Sequence, residues 1–113
     1  MRAIPKKLLI HTAQLQRITS KDRWGEGKTD DIAKLEKIRI EPSSRIVRDK
    51  SSAEVQLAAT LFYDCKNSVP RNLVFKEDDI IVFNEQKLRV QQIEPLYDGH
   101  KLHHYELGLI KHA

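Results

Sequence analysis

The sequence predicts an all-β fold, a small curved sheet or closed β-barrel of about six or seven short strands with long loops. Two observations carry that expectation. Apolar residues alternate with polar ones at the period of two that a half-buried strand requires, as in Val55, Leu57, Ala59, Leu61 and Tyr63. Between such runs stand Pro42, Asn84-Glu85-Gln86 and Asp98-Gly99, residue types that end strands or favour turns. Closing short strands into a barrel removes the exposed edges that an open sheet would leave.

Leu8 to Ile18 reads as the first extended segment, because isoleucine and threonine favour strand and no capping residue argues for helix. Thr19 to Lys34 is polar and carries Gly25 and Gly27, so it is expected as a long loop presenting Trp24. Leu35 to Pro42 offers a short strand ended by proline, and Pro42 to Ser52 a second polar loop. Glu54 to Asp64 is expected as a strand. The competing reading is a helix capped by Ser51 with Glu54, using Val55, Leu57, Ala58, Leu61 and Phe62 as its apolar face. Ile80 to Phe83, the turn at Asn84 to Gln86, and Leu88 to Ile93 continuing to Pro95 make a hairpin. Asp98-Gly99 then turns the chain into a last strand from His103 to Ile110.

A chain of 113 residues suits one domain, 1–113, with a small core and little apolar area to spare. No stretch approaches the roughly 18 to 20 consecutive apolar residues of a spanning helix, and the basic start lacks the long apolar run of a secretory leader. A soluble, cytoplasmically made protein is expected. The single cysteine, Cys65, excludes an internal disulfide framework and is assigned to packing. The formal charge of +4 is unevenly spread: residues 1–50 hold 13 Lys and Arg against 7 Asp and Glu, residues 51–113 hold 7 against 9. A basic first half suits either a nucleic-acid surface or an acidic partner surface.

Candidate chemistry is sparse. Successive residues of a regular strand point to opposite faces, so His103 and His104 are expected to diverge, one inward and one outward, with no ligand-spaced partner for a metal. Glu77-Asp78-Asp79 is expected as a polar turn whose acids face water rather than as a magnesium site. Asp64, Cys65, His100 and His104 supply nucleophile and base atoms without any spacing that brings them together. The "WGEGK" stretch lacks the spacing of a phosphate loop. No catalytic residue, metal or cofactor is therefore assigned. Arg45, Arg48 and Lys50 form the most concentrated basic patch, a candidate channel- or phosphate-facing loop. Ile46 and Val47 within it, and Trp24 in the first loop, are candidate protein-interface residues.

In order along the chain, "IPKKLLIHT", "IRIEPSSRIVR", "LFYDCKNSVP", "FKEDDIIVFNEQKLRV", "IEPLYDG" and "LHHYELGLI" resemble the minor capsid protein family of tailed bacteriophages and prophages. That family is similar to the small head-completion proteins, also called stoppers or head-closure proteins. The resemblance implies a small β-barrel that forms a ring below the portal and adaptor, joins capsid to tail and closes the DNA channel with a long inter-strand loop. Carried onto this sequence, Pro42 to Ser52 becomes the channel-facing loop and Ser20 to Lys34 a docking loop. Trp24-Gly25 fits the family pattern, whereas "AQLQ" after His11-Thr12 is more polar than the usual continuation. The implied partners are the portal–adaptor complex, tail-completion or tail proteins, further copies of the chain in a ring, and packaged DNA nearby. The implied location is the virion, after synthesis in the bacterial host cytoplasm, with no membrane involved. A small-barrel nucleic-acid-binding module is the alternative reading.

Overall fold

The computed structural model describes residues 2–21 and 27–112. A 3-10 turn at Lys6–Leu8 leads into eight strands: β1 His11–Lys21, β2 Gly27–Pro42, β3 Ile46–Arg48, β4 Glu54–Gln56, β5 Ala59–Asp64, β6 Ile80–Phe83, β7 Gln86–Asp98 and β8 Lys101–Lys111. Six of them form a ring of antiparallel pairings in the order β1-β2-β5-β8-β7-β6, returned to its start by Gln14–Gln16 of β1 against Ile80–Val82 of β6. β3 and β4 make a separate two-stranded sheet. The expected strand alternation fills the ring: Ala59, Leu61 and Tyr63 from β5 meet Leu107 and Leu109 from β8, Leu15 from β1, and Leu35, Ile38 and Ile40 from β2 in one buried cluster. Phe75 joins it from the β5–β6 connection, edge-on to Tyr63 with ring centroids 5.2 Å apart.

The expected long loop from Thr19 to Lys34 is replaced in most of its length by strand. β1 and β2 run on past the ring as a two-stranded arm, with Ile18 opposite Thr29, Ser20 opposite Lys28 and Lys21 opposite Gly27. Sequence reasoning missed the arm because a ribbon solvated on both faces has no apolar stripe, and its period of two is then invisible. Along Gly27 to Lys34, β2 pairs with no described strand other than β1.

The loop expected from Pro42 to Ser52 contains β3, and the strand expected from Glu54 to Asp64 is interrupted. Val47 pairs with Val55 and Arg48 with Glu54, so Ile46 to Gln56 is a hairpin. At Leu57 and Ala58 the chain changes partners: Leu57 N–H donates to the Arg45 carbonyl at 2.9 Å, and Ala58 N–H to the Leu109 carbonyl at 2.8 Å. Ser51 and Glu54 therefore stand in a hairpin turn and in β4, and the capped helix is not formed.

The later turns are as read. Asn84 and Glu85 both have positive φ, 48° and 64°, the backbone a two-residue hairpin of the primed type requires. Gly99, at φ 61°, takes the left-handed position in the turn between Asp98 and Lys101.

The acidic trio departs from expectation at its last member. Asp79 is buried, 1% exposed, and accepts from Arg17 Nε at 2.8 Å, Arg17 Nη2 at 3.0 Å and Lys76 N–H at 2.8 Å. Asp78 keeps an exposed side chain and a positive φ of 71°. The segment is thus an ion-paired brace between β1 and the turn that enters β6.

Candidate functional site

The basic patch lies on the β3–β4 hairpin. Asp49 builds its turn: one carboxylate oxygen accepts from Ser51 N–H at 2.9 Å, Ser51 Oγ–H at 2.7 Å and Ala53 N–H at 3.0 Å. These bonds, led by the Ser51 hydroxyl, pull the Asp49 pKa below the usual carboxylate value of 3.8. A depressed folded pKa means that the stabilisation is complete above the ordinary value and lost as pH falls through the lower one. The midpoint of the pH-dependent movement of the Ser51 and Ala53 amide resonances is accordingly expected below 3.8. A midpoint at or above 3.8 in an NMR titration would remove Asp49 from this role.

The hairpin hangs on the outside of the ring by Leu57. That side chain is 2% exposed yet belongs to a different face from the ring core. A Cβ built on Gly108 would lie 3.1 Å from both Leu57 methyl carbons and 3.4 Å from the Gln92 Cβ. Gly108 alternates with the inward-facing Leu107 and Leu109, so its bare outer face is the seat for Leu57.

Each basic residue singled out from sequence has an acidic partner. Arg45 Nη2 lies 3.5 Å from Glu94 Oε1 of β7, Arg48 Nη2 lies 3.6 Å from Glu54 Oε1 across the hairpin, and Lys50 Nζ lies 3.1 Å from Glu77 Oε2 before β6. Arg48 also donates to the Ser52 carbonyl at 2.8 Å. Arg39, just before this segment in sequence, stays on β2, bonded to Glu41 at 2.6 Å and to the Leu8 carbonyl at 3.1 Å. Between the hairpin tip and the body is a cleft of about 400 Å³, lined by Arg48, Lys50 and Ser51 on one side and by Glu77, Asp78 and Gln92 on the other. Ile46 is 60% exposed, and Val47 is half-buried against the hairpin's other strand. Trp24 lies outside the described residues.

Against known families, residues 5–109 match the model of the minor capsid protein family. The chain belongs to that family. No curated protein and no solved structure matches it significantly. Membership in the minor capsid protein family supports a structural role in the virion. No helix among the described residues is long and apolar enough to cross a membrane.

The other candidate chemistry of this capsid protein is absorbed into structure. The Asp64 carboxylate accepts from the backbone N–H groups of Ile4, Lys66 and Asn67 at 3.0, 3.1 and 2.8 Å. Burial, and then the Asp64 charge, push the Cys65 thiol pKa up, which keeps it in the unreactive thiol form. Among the described residues, no group of three or more His, Cys, Asp and Glu is arranged to hold a metal ion. The divergence expected of His103 and His104 is not found: their Nδ1 atoms are 2.7 Å apart.

The acidic partners Glu54, Glu77 and Glu94 were missed by sequence reasoning. Glu54 was within reach, because a hairpin centred on "DKSSA" sets Arg48 opposite Glu54. Glu77 and Glu94 come from other elements, and the hairpin reaches them by docking on the ring with Leu57 over Gly108.

Proposed function

We propose that this minor capsid protein is a non-enzymatic head-completion, or stopper, subunit. Its single domain, 1–113, is a closed β-barrel that assembles as a ring below the portal–adaptor complex, joins the capsid to the tail proteins and closes the DNA channel. It is made in the host cytoplasm, works in the virion and uses no cofactor. The observation that carries the reading is the β3–β4 hairpin, a separate sheet held against the outside of the ring at one buried leucine. A ring subunit needs a scaffold and a segment that can change its contacts without unfolding that scaffold. The surrounding ion pairs suit such a segment, because exposed pairs contribute at most about 1 kcal/mol each and weaken with salt. Arg45, Arg48 and Lys50 would exchange their internal acids for channel-side partners. Ile46, Val47 and Trp24 would supply apolar contacts to neighbouring subunits.

The alternative, a nucleic-acid module, requires free cations. All three basic residues of the hairpin have carboxylates within 3.6 Å, which lowers the field available to a phosphate backbone. Isolated protein is accordingly expected to bind duplex DNA weakly at physiological salt, with Arg45→Ala/Arg48→Ala changing the affinity less than threefold. Tight, steeply salt-dependent binding lost in that variant would favour the module. The direct test of the connector is to mix the protein with its portal–adaptor rings and follow mass by light scattering and shape by electron microscopy. A stoichiometric added ring is the expected product. Failure to associate with correctly assembled rings would reject the proposal.

A further inference from the structure

The N-terminal segment is fastened across the ends of β5 and β8 through its backbone. Ile4 N–H donates to Asp64 Oδ1 at 3.0 Å, the Asn67 side-chain amide donates to the Ile4 carbonyl at 2.8 Å, and the Arg2 carbonyl faces His103 Nε2 at 2.5 Å. A bulge makes the last contact possible. Leu96 pairs with His104 while Tyr97 pairs with Leu102, so His103 is an extra residue in β8 and the side-chain alternation lapses there. The two imidazoles meet edge-on, with centroids 4.9 Å apart and planes at 82°. His103 Nδ1 is 2.7 Å from His104 Nδ1, and His104 Nε2 is 3.0 Å from Glu106 Oε2.

These three contacts in series fix a hydrogen count. The Arg2 carbonyl and an ionised Glu106 only accept, so both outer ring nitrogens must carry hydrogen. The central contact needs one more, on either Nδ1. Two neutral imidazoles carry one hydrogen each and leave one contact bare. The series is complete when the pair holds one extra hydrogen, its charge balanced by Glu106. Moving that hydrogen onto Glu106 changes its place and not the count.

We propose that His103, His104 and Glu106 form a proton-counting latch on the N-terminal segment, closed when they share three hydrogens and opened by the gain or loss of one. Gain of one by the imidazole pair, beside an ionised Glu106, sets two N–H groups against each other across the central contact. Loss leaves one contact between two acceptors. Other groups face the latch from each side. Asp64 stands opposite His104, with Cys65 beside it on the β5 end; Asp98 and Lys101 close the β7–β8 turn; Glu94 stands opposite Glu106 on β7. Asp64 is engaged by three backbone N–H groups, and Asp98 interacts electrostatically with His103 and Lys101. Phe62 stacks beside His104 with ring centroids 6.5 Å apart. Ala3 of the latched segment forms one wall of a cavity of about 260 Å³ also lined by Asp64, Cys65, Lys101 and His103, so opening the latch would remove that wall. The latch does not depend on the connector reading.

The test is NMR on histidine-¹⁵N-labelled protein from about pH 5 to pH 9, with the hydrogen-exchange protection of the Ile4 amide as the second readout. A coupling between the two Nδ1 atoms is expected in the middle of the range. Ile4 protection, corrected for intrinsic exchange, should peak there and fall by about tenfold on both sides, in keeping with loss of one hydrogen bond. His104→Phe keeps an aromatic ring beside Phe62 and should abolish the peak. Absence of the coupling at every pH, flat or one-sided Ile4 protection, or a peak that survives in His104→Phe would each overturn the latch. The first two readouts need only the unaltered protein.

Discussion

Replacing Arg17 by methionine is expected to cost about 3 to 5 kcal/mol of folding stability, the largest effect of any single change to a polar side chain here. The reason is the asymmetry between the partners. Arg17 is 24% exposed and would be solvated if released, whereas Asp79 is 1% exposed and would be left as an uncompensated charge. The guanidinium binds through Nε and Nη2 together, and its hydrogen bond to Asp79 raises its own pKa further. Arg17 Nη2 also donates to the Val74 carbonyl at 3.0 Å, so one side chain fixes β1 to both ends of the Val74–Asp79 segment. The double variant Arg17→Met/Asp79→Asn should recover part of the loss, because a neutral amide still accepts from Lys76 N–H and leaves no buried charge. Urea unfolding of the two variants decides the matter. A cost below about 0.5 kcal/mol for Arg17→Met, or a double variant less stable than the single, would mean that Asp79 is hydrated and the brace unimportant.

The brace also marks the boundary of what sequence could show. The strands of the ring were legible wherever one face is buried: Leu61 and Tyr63, Ile80 and Ile81, and Leu107 and Leu109 carry apolar signals that only a core explains. The arm of β1 and β2 was not legible, since Lys28, Thr29, Asp30 and Asp31 are exposed and their polarity resembles that of a loop. Asp79 was misread for a related reason. Three consecutive acids look like a solvated turn, and the ion-pair partner of Asp79 lies 62 residues away on β1. The histidine pair failed through a local rule: alternation holds in a regular strand, and one bulge at His103 cancels it. In the candidate site the basic residues were visible and Glu54 lay within reach, but Glu77 and Glu94 face the hairpin only because of where it docks, which no local pattern encodes.

That docking gives the second large effect. Leu57→Ala is expected to remove about 2 to 5 kcal/mol from the attachment of the β3–β4 hairpin while leaving most of the ring intact. Leu57 is buried outside the ring core, and a two-stranded sheet of three-residue strands has little stability of its own. The remaining side-chain fastenings to the ring are the pairs Arg45–Glu94 and Lys50–Glu77, both exposed to solvent. The loss should therefore appear first as faster amide exchange at Val47 and Val55 and as proteolytic cleavage near Lys50, before global unfolding. Gly108→Ala approaches the same contact from the other side. Its new methyl would stand 3.1 Å from both Leu57 methyl carbons, closer than comfortable packing, so the Leu57 side chain must give by a few tenths of an ångström, and faster hairpin exchange is the expected result. Combining the changes provides a sharper test than either alone. In Leu57→Ala/Gly108→Ala the crowding disappears because the methyl occupies space that leucine has vacated, so the double variant should be less impaired than the sum of the singles by about 1 kcal/mol. Strict additivity in hairpin exchange would show that Leu57 does not rest on Gly108, and the hairpin's position over Glu77 and Glu94 would then need a different anchor.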